Sequence, residues 1–479
     1  MQRLTGLDAS FLYLETSSQL LHVCALITLD GSTIPGGYSF DRVKAKLEER
    51  TAVLPAFRRK LHNSRFNMDH PVWVEDDEFD IDHHVHRIGV PAPGGREEVA
   101  ELCAHIAGQP MSRRRPLWEM HVVEGAASGE IVIVAKMHHA GIDGVSGANL
   151  MTYLSGLEPD APLPDLPPEQ RGNPEPPSAV ELIGDGLFKF VRKPIEVARL
   201  LPGIIGVVPG FISKSIKGEG MALPFTAPRT SFNGTITGHR SVAYTQLDLD
   251  DIKRVKKAFG VTVNDVVLAL CSGALRTFLD DRNELPDKPL LASVPVSVRG
   301  RSERSDAGSN KVSAIFSTLP THLDDPAERV RSLGESNRKA KEHHKRIPAD
   351  LLQDWAQFAA PTTFGLAVRA YSALRLAERH PVVHNLVISN VPGPPMPLYL
   401  LGARITAMYP LGPVFHGSGL NVTVVSQAGK VDVGLIGASD LVPDLWPLAD
   451  AVPGAMRELL EAAEKEEDAH RPEAERAKA

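Results

Sequence analysis

At 479 residues the chain exceeds the length over which one hydrophobic core keeps growing, so two domains are expected; 43% hydrophobic and 23% charged residues exclude a disordered or fibrous chain. A formal charge of -7, from 52 basic and 59 acidic side chains, gives no global attraction to nucleic acid, and no zinc-finger or RNA-recognition motif stands out. Three scattered cysteines (Cys24, Cys103, Cys271) without CxxC spacing suggest neither a disulfide framework nor a zinc site and fit a reducing cytoplasm.

The N-terminus meets Asp8 before any apolar run develops, so no secretion signal is expected. Hydrophobic patterning then predicts a strand near Leu21 to Leu29, helices near Phe40 to Arg50 and Arg96 to Ala107, and strands at Glu119 to Glu124 and Glu130 to Met137, with a further helix after Gly144. From Glu158 to Pro177 proline and acidic residues dominate, which favours an extended linker. The expected organisation is an N-terminal domain over residues 1–157, a linker and crossover over 158–224, and a C-terminal domain over 225–479. Within the linker, residues 179–217 are apolar and carry several Lys and Arg; they read as a crossover helix or as an interfacial element on an anionic membrane. The longest apolar run, Leu200 to Ile212, contains two Pro-Gly pairs and falls short of the ~20 residues of a spanning helix.

The second half predicts a helix at Asn264 to Leu279 and strands at Leu290 to Val298, Lys311 to Leu319, Asn385 to Ser389, Leu420 to Ser426 and Val431 to Ile436, followed by a terminal helix after Ala455. Both halves are therefore α/β, or α+β, in character.

The stretch richest in chemistry is His138-His139-Ala140-Gly141-Ile142-Asp143-Gly144, directly after the apolar run Ile131 to Ala135. A strand exit is where a fold can present a base, and an imidazole titrating near neutrality can take a proton from a hydroxyl and return it to a leaving group. His139 is the expected base and His138 its supporting neighbour. Asp143 would anchor the loop by ion pairing, and Gly144 would let the backbone turn tightly. No third and fourth ligand at HExxH-like spacing supports a metal here. A second cluster, Asp82-His83-His84-Val85-His86, would place His84 and His86 on one strand face and reads as a polar strand edge.

Several separated blocks accompany this motif: Leu7-Asp8-Ala9-Ser10-Phe11-Leu12, Arg115-Pro116-Leu117-Trp118-Glu119, Val263-Asn264-Asp265-Val266, Pro295-Val296-Ser297-Val298-Arg299 and Ser389-Asn390-Val391-Pro392-Gly393-Pro394. Together with HHxxxDG, in this order from Leu7 to about Asp444, they resemble the bacterial wax ester synthase/diacylglycerol acyltransferase family, within the HHxxxDG superfamily of CoA-dependent acyltransferases. The resemblance implies two similar chloramphenicol-acetyltransferase-like domains with an active-site tunnel at their junction. It further implies transfer of a long acyl group from acyl-CoA to diacylglycerol, with long-chain alcohols as alternative acceptors and acyl-CoA as co-substrate in place of any cofactor or metal. Peripheral contact with a membrane or lipid droplet is an expected accompaniment, with a cytoplasmic location.

For the remaining residues two readings stand side by side. Thr262 and Asp265 fit a helix capping box, while Asn264 and Asp265 at a helix N-terminus also suit substrate or oxyanion binding. Trp118 is either core or a wall of the acyl channel. Arg113 to Arg115 form either a solvated turn or a phosphate contact, and Glu15 reads as a surface carboxylate sooner than a site residue. Arg299 at a strand end calls for an acidic partner, and Asp143 across the junction is the expected one.

Overall fold

The computed structural model describes residues 2–62, 70–142, 154–162, 222–297, 312–344 and 361–470. Asp143, Gly144 and Arg299, the expected Arg299–Asp143 pair, the helix after Gly144 and most of the linker with residues 179–217 lie outside the described residues.

Sixteen strands are described: β1 (Gln2–Arg3), β2 (His22–Asp30), β3 (Arg59–His62), β4 (Val72–Glu75), β5 (Val85–Gly89), β6 (Trp118–Glu124), β7 (Ile131–His138), β8 (Ser155–Gly156), β9 (Arg240–Asp248), β10 (Leu290–Ser297), β11 (Val312–Leu319), β12 (Leu386–Pro392), β13 (Tyr399–Leu400), β14 (Ala403–Leu411), β15 (Leu420–Gln427) and β16 (Lys430–Ala438). The main helices are α1 (Gly6–Leu14), α2 (Phe40–Ala52), α3 (Arg96–Ala107), α4 (Leu249–Phe259), α5 (Val263–Asp280), α6 (Pro326–His344), α7 (Pro361–Ala373) and α8 (Trp446–His470).

Two large sheets organise the molecule. One has the order β5-β6-β7-β2-β14-β13-β8, the other β11-β10-β12-β15-β16-β9. β7 lies between β6 and β2, and its run IVIVAKMH is buried at every position but Met137, as a strand covered on both faces must be. This agrees with the mixed helix-and-sheet expectation, with one departure. Residues 399–411, far along the C-terminal half, leave their own sheet to supply β13 and β14 to the N-terminal one, β14 pairing antiparallel with β2. The junction is thus a strand exchange rather than a simple linker crossing. Asp432 on β16 fastens it: its carboxylate accepts from the Met408 main chain (2.8 Å), Gln427 (2.9 Å) and Gln246 (2.7 Å).

The C-terminal core centres on α5. Thr262 caps it and the first-turn Asp265 reciprocates, so the helix starts where the capping box predicts. Beyond the cap its sequence is apolar almost all round, which suits a helix enclosed on every side. Leu268, Leu275 and Phe278 pack with Val422 and Val433 of the sheet and Leu459 of α8. Each such fully buried side chain contributes roughly 1.5–3 kcal/mol relative to exposure. Among the described residues no single helix is long and apolar enough to cross a membrane.

His84 and His86 correct a sequence expectation. His84 ends a short 3₁₀ turn and is buried with Nδ1 against the Trp118 carbonyl at 2.8 Å, while only His86 stands on the strand β5. The pair therefore does not form one polar strand face.

Candidate active site

The site is built where β7 and β2 end together. His138 closes β7 opposite His22, the first residue of β2, and His139 follows in a 3₁₀ turn with its main-chain N–H donating to Leu21 O at 2.9 Å. Consecutive residues leaving a strand point to opposite sides, so the two histidines of one motif enter different surroundings.

His138 is enclosed. Its Nδ1 accepts from the main-chain N–H of Ala140 at 3.1 Å, which fixes the proton on Nε2, and Nε2 faces Glu15 Oε1 at 3.4 Å, an ion-pair distance outside hydrogen-bond geometry. His22 Nε2 approaches the same oxygen at 3.2 Å. The other oxygen of Glu15 accepts from Arg113 Nη2 at 2.5 Å and Nε at 3.2 Å. Burial alone would raise the Glu15 carboxyl, but contact with His138 and His22 and the charge of Arg113 outweigh it and hold the group far below the usual carboxylate range. Local structure explains the position: α1, capped by Thr5, buries Ala9 and Leu12 and ends at Glu15, which returns to extended backbone beside the strand ends.

His139 is different. Phe11, from the same α1, stacks on its ring with centroids 4.0 Å apart and planes 23° from parallel. Its Nδ1 is buried without a hydrogen-bond partner among the described residues. Burial lowers its pKa to about 4. The imidazole is therefore neutral near pH 7, and no described hydrogen bond reaches either of its ring nitrogens.

A charged row continues away from the pair. Lys136, two residues before His138 on the same face of β7, has no solvent exposure; its Nζ donates to Gln109 O at 2.7 Å and lies 3.5 Å from Glu119. Glu119 in turn approaches His121 at 3.5 Å. Glu15, His22 and His138 present donor atoms within 4.8 Å of one another, close enough to hold one ion. The positive charges already around them argue against a metal: Arg113 neutralises the carboxylate, and Lys136 lowers the pKa of His22 after burial and against the pull of Glu15.

The other expected site residues fall as follows. Asp265 is buried, with one oxygen taken by the Thr262 main chain (2.9 Å) and hydroxyl (2.7 Å) and the other by Asn337 Nδ2 (2.8 Å), so the capping reading describes its contacts in full. Asn264 is half-buried beside it, and no described hydrogen bond joins either residue to His138 or His139. Trp118 corrects the channel-wall expectation. Its ring is fully buried, packed against Phe57 and His84, and its Nε1 donates to Phe57 O at 2.9 Å, so it belongs to the core. Glu15 corrects one more, since it is no surface carboxylate: it lies at the site paired with Arg113, whose own side chain stays exposed as the solvated-turn reading has it. A cleft of about 500 Å³ between α3 and the β9 region, lined by Glu101, His105, Arg240 and Trp446, does not contain His139. In the late turn, a Cβ on Gly393 would lie 2.6 Å from Ser426 O, so this position admits only glycine without a backbone shift.

Sequence reading missed Glu15, His22 and Phe11 as site members. The strand pairing of His22 with His138 was the signal that joins them, and it spans 116 positions of chain.

Comparison with known proteins agrees with this geometry. The wax ester synthase/diacylglycerol acyltransferase catalytic domain matches residues 4–267, and the C-terminal domain of the same family matches residues 308–460. The chain belongs to this family. A putative diacylglycerol O-acyltransferase of Mycobacterium tuberculosis is 47% identical over 462 residues, covering 96% of this chain and 90% of that one. A probable diacylglycerol O-acyltransferase of the same species is 36% identical, covering 95% and 98%. Among solved structures, the wax ester synthase/diacylglycerol acyltransferase from Marinobacter aquaeolei VT8 superposes with a TM-score of 0.67 at 29% identity, covering 96% of this chain and all of that one. The first condensation domain of the calcium-dependent antibiotic synthetase, at 13% identity and a TM-score of 0.55 over 96% of each chain, shares the fold.

Proposed function

We propose that this family member is an acyl-CoA:diacylglycerol O-acyltransferase with His139 as general base. The observation that carries the assignment is the asymmetry of the histidine pair: His138 accepts at Nδ1 from Ala140 and turns Nε2 toward Glu15, whereas His139 is neutral and no described hydrogen bond engages its ring. In the reaction, the unprotonated ring nitrogen of His139 removes the acceptor hydroxyl proton as its oxygen attacks the thioester carbonyl. The C–S bond then breaks and the imidazolium returns the proton to the CoA sulfur, so the ester and free CoA form with no net proton change. Neither a covalent acyl-enzyme nor a cofactor is required. His138 and the loop anchor Asp143 support the base, and Gly144 and Asn264 belong to the proposed surroundings of the substrates, with Arg299 paired to Asp143.

The names of the mycobacterial relatives favour diacylglycerol as acceptor, and the Marinobacter structure favours a long-chain alcohol as the second reading. Acceptor choice is a property of channel shape. Release of CoA thiol with one long-chain acyl-CoA and diacylglycerol, monoacylglycerol or hexadecanol decides it. Turnover highest with diacylglycerol is expected; turnover confined to hexadecanol reverses the order, and none with any acceptor removes the activity. The three free, buried cysteines fit a cytoplasmic protein, and peripheral contact with lipid would supply the insoluble acceptor.

A further inference from the structure

Helix α7 rests on α1, the helix that carries Phe11 onto His139, and it turns the wrong side to solvent. Leu366, Ala370, Ala373 and Leu374 fall at i, i+4, i+7 and i+8, a single stripe, and all are exposed. Leu366 is 64% and Leu374 55% exposed. The inward side is held by polar contacts: the Tyr371 hydroxyl lies 2.6 Å from His380 Nε2. Phe225, 54% exposed, packs edge-on against the same His380 and extends the apolar surface past the helix end. A surface helix normally buries its apolar stripe, and an exposed one marks a surface with a partner.

Charge identifies that partner. Arg369, Arg375 and Arg379 are exposed around the stripe; Arg375 pairs with Glu378 at 2.7 Å, while Arg369 and Arg379 have no carboxylate partner among the described residues. Exposed leucine and phenylalanine ringed by uncompensated arginine suit an anionic lipid surface, where the apolar groups enter the acyl boundary and the guanidinium groups meet phosphates. We infer that α7 and Phe225 form the face by which this enzyme docks on anionic membrane lipid, α7 being packed on the helix that stacks Phe11 against His139. The purpose rests on the reading of the acceptor as a lipid; the docking itself does not.

Flotation with vesicles of phosphatidylcholine and phosphatidylglycerol tests it on the full-length protein, without turnover. Wild type is expected to float with anionic vesicles and to be released as salt rises. Leu366→Glu with Leu374→Glu, and separately Arg369→Glu with Arg379→Glu, should each weaken binding on the order of tenfold or more. Both double variants should keep thiol release with a short, water-soluble alcohol, which shows that they are folded. Wild-type failure to float, or flotation of both double variants equal to wild type, overturns the inference. So does self-association lost in the leucine variant while vesicle binding is unchanged, because the stripe would then serve a second protein copy. Absence of thiol release in wild type with every acceptor would remove the acyltransferase reading and leave the flotation result standing.

Discussion

Glu15 and Asp265 are both carboxylates set at a helix end, yet they sit in opposite kinds of surroundings. At Asp265 each oxygen has a partner supplied by the helix it caps or by Asn337 on α6, and no polar atom of that cluster is left wanting. At Glu15 the carboxylate is just as crowded, but the groups it serves are not: His22 has both nitrogens, His138 its Nε2 and His139 its Nδ1 outside hydrogen-bond geometry. Buried polar groups in folded proteins are nearly always satisfied, so an accumulation of unsatisfied imidazole nitrogens marks where stability has yielded to chemistry. The Asp265 cluster, complete in itself, is architecture.

The largest effect that can break this contrast is at His139. Replacement by alanine is expected to lower kcat by roughly 10²- to 10⁴-fold with unchanged thermal unfolding; wild-type thiol release from the variant would remove the base assignment. The pH profile sharpens it. A base must be neutral, and burial lowers the His139 pKa to about 4, so activity should persist below pH 6 and fall only as pH drops through about 4. The same depression favours folding above the unfolded value near 6.5, a contribution lost as pH falls from there through about 4.

Next in size is Glu15→Gln. The amide keeps the shape and removes the charge that holds His138, His22 and Arg113 together, so the base is mispositioned and kcat should fall on the order of 10²-fold. KM for acyl-CoA should change little, and Glu15→Asp should recover part of the loss. An unchanged kcat would make the Glu15 cluster as architectural as that of Asp265.

Why one cluster was legible in the sequence and the other was not follows from contact range. Thr262 and Asp265 are three residues apart, and their box is local chemistry that a sequence states directly, like the strand exit at His138 and the apolar runs of β7, β10 and β15. Glu15 meets His138 only because α1 folds back over the ends of β2 and β7, and β13 and β14 reach the N-terminal sheet only through tertiary pairing. Lys136 stands within an otherwise apolar strand, and its burial depends on Gln109 and Glu119 arriving from elsewhere. Nothing periodic in the chain reports such meetings.

Asp265→Ala tests the architectural side. It removes the cap and leaves Asn337 Nδ2 buried without its acceptor, which together should cost roughly 2–4 kcal/mol in denaturant unfolding. Turnover per folded molecule should remain close to wild type. A collapse of kcat comparable to His139→Ala would instead place Asp265 in the reaction.

Trp118→Phe is expected to give the smallest effect and separates core from channel most cleanly. The substitution keeps an aromatic ring against Phe57 and His84 but withdraws the Nε1–H, leaving the Phe57 carbonyl without its donor and a small void beside it. A loss of roughly 1–3 kcal/mol in stability is the expected outcome of an unpaired buried carbonyl. Because no part of the ring is exposed, acyl-CoA has nothing of it to touch, and KM should be unchanged across acyl-chain lengths. A chain-length preference that shifts in this variant while unfolding stays the same would mean that the ring faces substrate, and the line between satisfied architecture and unsatisfied site would have to be redrawn around it.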